Sequence, residues 1–106
     1  AGSAIAQDRP CESHAVQACY VMHGGLLTAN GTPSFRIMVG DAGRMLGIAG
    51  GEEPPLPDAV RKALAPDMFS NRLLGDYMVC PQTEEHQGQM QMVCVKSASN
   101  LKLEPR

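Results

Sequence analysis

The chain has 106 residues, 43% of them hydrophobic, with only four aromatic side chains and a formal charge of −2. One domain fits in that length and two do not. Nine basic residues, scattered singly apart from Arg61-Lys62, leave no positive stripe to displace counterions from a phosphate backbone, so nucleic acid is excluded as an expected partner, and no run reaches the length of a membrane span.

Residues 1–14 are small, polar and proline-interrupted, and read as a flexible lead-in to a single β-rich domain over 15–106. Ala4-Ile5-Ala6 before Gln7 fits the small-x-small pattern that signal peptidases recognise, which suggests either the remnant of an exported precursor or a chance match in added residues. Four cysteines without a Cys-x-x-Cys pair favour disulfides over zinc or a redox dithiol, and so an oxidising, periplasmic or secreted setting.

Ala18 to Thr28 reads as a long strand, with Gly24-Gly25 marking a bulge or bend where a sheet curls on itself. Asn30-Gly31 signals a tight turn. Ser34 to Val39 alternates cleanly, with Phe35, Ile37 and Val39 on one face. Gly40-Asp41-Ala42-Gly43 then closes a second hairpin, and setting Val39 against Arg44 also sets Ile37 against Leu46 and Phe35 against Ile48. Pro57-Asp58 opens a short helix whose stripe is Leu56, Val60 and Leu64, and which Pro66 ends. Asp67 to Leu74 is ambiguous.

The last element is a hairpin over 76–95, built from Gly75 to Pro81 and Gly88 to Val95. Placing Cys80 opposite Cys94 sets Val79 against Val95 and Tyr77 against Ser97, and predicts a Cys80–Cys94 staple with Cys11 left to Cys19. The competing arrangement ties Cys19 to Cys80 or Cys94, stitching the sheet crosswise. Three strands, a helix and two more strands predict a mainly β fold: a small five-stranded OB-like barrel with the helix between strands three and four. The alternative is an open antiparallel sheet with one packed helix. Phe35, Ile37, Leu46, Ile48, Val60, Leu64, Val79, Val93 and Val95 form the expected core.

Two stretches are familiar together: His23 to Ile37 with Arg44-Met45-Leu46-Gly47-Ile48, and Gly75 to Pro81 with Met90 to Cys94. Over residues 19–100 the chain resembles small exported proteobacterial domains of unassigned function. That resemblance implies export and brings no catalytic residue.

Among chemical readings, His86 with Met90-x-Met92 stands out, because imidazole and thioethers hold Cu(I) where thiolates would be oxidised. The set is similar to that of periplasmic copper and silver carriers built on a small OB barrel, though their tryptophan is absent. The ordinary alternative is gap-filling methionine on a strand. Cys11, His14, Cys19 and His23 could be read as zinc ligands, and Cys80 with His86 as nucleophile and base, but their spacing and context match no known module. Arg36 and Arg44 could bind an anion, yet both also read as ordinary solvated arginines. The sequence therefore predicts no enzyme and no obligatory cofactor. It predicts an exported, disulfide-containing binding or interaction module for an unknown protein or small ligand, with a Cu(I)/Ag(I) carrier as the second reading.

Overall fold

The computed structural model describes residues 11–40, 43–51 and 54–106, with the side chain of Glu12 also left aside. Expectations about residues 1–10, including the small-x-small pattern, and about the Asp41-Ala42 tip of the second hairpin lie outside the described residues.

The chain is mainly β. Strands β1 (Tyr20–Thr28), β2 (Phe35–Val39) and β3 (Arg44–Ile48) are followed by helix α1 (Asp58–Ala63), then by β4 (Asn71–Pro81) and β5 (Gln91–Pro105). The five strands close in a ring in the order β1-β2-β3-β5-β4. All contacts are antiparallel except β3 with β5, so the open antiparallel alternative is set aside. Among the described residues no helix is long and apolar enough to cross a membrane.

Closure depends on β1. Its first half pairs with β4 alone, Gly24 to Leu26 pair on both sides, and Leu27 and Thr28 continue with β2 alone. The handover falls on the paired glycines, where the absence of side chains lets a strand coil sharply. The inner face then stacks Leu26, Ile37, Leu46, Ile48, Leu73, Tyr77, Val79, Val93 and Val95, and Val60 of α1 is fully buried among them. Tyr77 satisfies its buried hydroxyl by donating to the Leu73 carbonyl at 2.5 Å, and burial raises its pKa above the ordinary value.

Alternation and the helix stripe located about half of the core. Ile37 does face Leu46, and Val39 faces Arg44. Phe35 and Leu64, expected inside, are only partly buried and pack against the core from its margin. Leu26, Leu73 and Tyr77 are fully buried core residues that the expected core lacked, and Met22, Leu56 and Met68 are buried with them. Leu73 fell in the stretch of ambiguous pattern, whose last four residues, from Asn71, begin an eleven-residue strand.

The final hairpin has the expected register where the cysteines stand, with Cys80 opposite Cys94 and Val79 opposite Val95. A shift between Met78 and Val79 then sets Tyr77 against Ala98 instead of Ser97. The disulfides correct the expected pairing. Cys19 is bonded to Cys80 and Cys11 to Cys94, with Cα separations of 4.2 and 5.6 Å. Ring closure explains this, because β1 runs along the other edge of β4 with Tyr20 opposite Val79, which carries Cys19 to Cys80. Cys94 is then met by the 3-10 turn Cys11–His14, so the lead-in is pinned from Cys11 onward. Val16 N–H donates to the Pro81 carbonyl (2.9 Å) and the Gln82 amide to that of Cys11 (3.3 Å), seating the turn on the outside of the closed sheet.

Candidate functional site

The outer face of the sheet carries a cleft of about 770 Å3, within the size range of small-ligand sites. Strand register explains its shape. Gly25 of β1 lies opposite Met38 of β2 on one side and Leu74 of β4 on the other, while Met38 lies opposite Met45 of β3. Met45, Met38, Gly25 and Leu74 thus form one row across four strands, apolar throughout and bare at Gly25. One step along the strands, Leu27 lies opposite Arg36, and Leu26 opposite Leu73 carries Leu27 alongside Arg72. The apolar trough is therefore flanked by Arg36 on one side of β1 and Arg72 on the other, and both line the cleft. Phe69, 56% exposed, and Arg106 close one end of the cleft.

Each cation is held in place. Arg36 Nε donates to the Pro33 carbonyl at 2.9 Å. Arg72 pairs with Glu104 at 3.2 Å. Arg106 donates to the Phe69 and Thr28 carbonyls at 3.1 and 2.5 Å, while the Ser70 hydroxyl first, then the Phe69 and Ser70 amides, and least the Arg106 charge hold the Asp67 carboxyl below its ordinary pKa. At the other end His23 Nδ1 lies 2.9 Å from Asp76, which also accepts from the Asn100 amide at 2.8 Å. The Asn100 bond first, and the His23 contact second, hold the Asp76 carboxyl below the usual carboxylate range.

The residues singled out from sequence are partly gathered. The Met90 and Met92 sulfurs converge over Gly47, where a Cβ would lie 3.0 and 2.7 Å from them. His86 lies in the exposed 82–90 connection and lines a second, open depression with Met45 and Met90, but not with Met92. All four cysteines are in disulfides, so the zinc set loses both its thiolates and Cys80 offers no thiol to His86. Arg44 is engaged by Gln91 at 2.9 Å and Glu85 at 3.2 Å, so it is Arg72, not Arg44, that shares a cleft with Arg36. The sequence signal for that pair was the strand alternation around Leu73, hidden by the ambiguous start of β4. Comparison with known proteins finds no matching family model, curated protein or solved structure.

Proposed function

We propose that this chain is an exported, disulfide-containing domain of OB-like architecture that serves the bacterial envelope as a non-catalytic binding module, with the outer-face cleft as its binding site. The carrying observation is that cleft: an apolar, glycine-notched trough bordered by fixed cations. Strand order 1-2-3-5-4, with a helix between β3 and β4, supports the OB-like reading. Two disulfides in so small a domain are compatible with an oxidising location. Isotope-labelled protein isolated from the periplasm of an expressing bacterium should carry a non-covalent mass in native mass spectrometry. Stripping that ligand should move amide resonances clustered on His23, Gly25, Arg36, Met38, Arg72 and Leu74. Shifts confined to other surfaces would overturn the assignment.

A second reading, a Cu(I)/Ag(I) carrier, is favoured by the convergence of the Met90 and Met92 sulfurs over Gly47, with His86 and Met45 near Met90 as further donors. Replacing both Met90 and Met92 by Leu keeps volume and removes sulfur, so the fold should stay while a Cu(I)-dependent rise in Tm disappears. If the wild type shows no such rise, the carrier reading fails.

A further inference from the structure

We infer that the outer-face cleft takes a small anionic amphiphile, a carboxylate on an aliphatic chain, with the chain lying in the Gly25 trough and the carboxylate at Arg36 and Arg72. The inference rests on the binding-module reading and gives its site a ligand class.

The trough is built for an apolar chain. A Cβ on Gly25 would lie 3.3 Å from Leu74 Cδ2 and 3.5 Å from Arg72 Cδ, so the neighbouring side chains lean over a strip where the surface is backbone alone. That strip continues across Met38 to Met45, and four strands at the usual spacing give a run of about 14 Å. Thioethers and leucine methyls make an adaptable wall for an aliphatic chain, with little to reward a polar one.

The charge of the ligand follows from the flanks. Arg36 and Arg72 are two strands apart, about 10 Å at the backbone, on opposite sides of Leu27, and both line the cleft. Arg72 is already shared with Glu104. Among the described residues Arg36 has no carboxylate within ion-pair distance. Its Nε is spent on the Pro33 carbonyl, which fixes the plane and leaves the terminal nitrogens free to take a carboxylate. A cation on the border of an apolar trough gives such a ligand two anchors of different kinds, and a neutral chain only one.

Titration of intact, oxidised protein with decanoate below its micelle concentration, followed by amide resonances and calorimetry, tests this. Decanoate should bind at least tenfold tighter than decanol and should move Gly25, Arg36, Met38 and Leu74. Acetate should not bind. Arg36→Gln, a change at the surface, should weaken decanoate at least tenfold and leave decanol unchanged. Gly25→Val fills the trough with a strand-forming side chain and should abolish both, with an unchanged far-UV spectrum as the folding control. Equal affinity for decanoate and decanol, an Arg36→Gln protein that binds decanoate as the wild type does, or shifts away from the cleft would each overturn the proposal. An acidic peptide that binds here in place of decanoate, and is lost in Gly25→Val, would overturn the amphiphile and leave the binding module standing. If the ligand carried from the periplasm also maps elsewhere, both fall.

Discussion

Removal of the outer disulfide, by Cys11→Ser with Cys94→Ser, perturbs the fold in a way the crosslink topology makes calculable. The two bonds are nested, spanning 83 and 61 residues. With the inner bond in place, the outer one closes a ring made of the 8 residues from Cys11 to Cys19 and the 14 from Cys80 to Cys94. The chain-entropy relation for a ring of that size gives about 3 kcal/mol of stabilisation through the unfolded state. For a domain of this length, that corresponds to a fall in Tm of about 12–24 °C. Calorimetry of the oxidised wild type and the double variant measures the loss, and connectivity is read separately from unreduced peptides. Trypsin leaves Cys11 with Cys19, and Cys80 with Cys94, because no Lys or Arg separates either pair. Cleavage after glutamate does separate them, at Glu12 and at Glu84 or Glu85. The fragment with Cys11 should be joined to that with Cys94, and the fragment with Cys19 to that with Cys80. A fragment joining Cys80 to Cys94 would refute the nested topology, and a Tm loss under 3 °C would refute the ring-closure reasoning.

Ile37→Ala should cost about 2–4 kcal/mol in urea unfolding, since Ile37 is fully buried on the inner face; a loss below half of one kcal/mol would mean that β2 does not face the core. Gly24→Ala should destabilise by about 1–3 kcal/mol, because the new Cβ would collide with the Met38 carbonyl oxygen and lie 2.8 Å from Met22 Cε; an unchanged midpoint would show that β1 and β2 approach less closely. Asp76 has a folded pKa below its unfolded value, about 3.9. Its contribution is therefore complete above that pH and lost as pH falls through the folded pKa. Asp76→Asn should flatten the acid limb of the stability profile below about pH 4, and an acid limb identical to that of the wild type would remove Asp76 from the linkage.

Period-two alternation, turn residues and a proline-started helix were enough to place the elements in order and to select Ile37, Leu46, Ile48, Val60, Val79, Val93 and Val95 for the core. These signals are local: each residue's face follows from its neighbours along the chain and from the strand across a short turn. The Cys80/Cys94 register was legible for the same reason. The sulfur-to-sulfur bonds were not, because each cysteine has two flanks and the hairpin partner occupies only one. Closing the ring brought Cys19 to the free flank of Cys80 and the Cys11 turn over Cys94. The cleft is of the same kind. His23, Gly25, Arg36, Met38 and Leu74 are unremarkable one by one, and their spacing along the chain encodes no motif. They become a trough only because β1 pairs with β2 and β4 at once, setting side chains from three distant strands side by side. The sequence by itself determined the inward face of β2 and β3 and of the cysteine-bearing ends of β4 and β5, since alternation is a property of one strand, though it did not reach Leu26, Leu73 and Tyr77; which outward residues meet is a property of the closed sheet, and only the tertiary structure decided it.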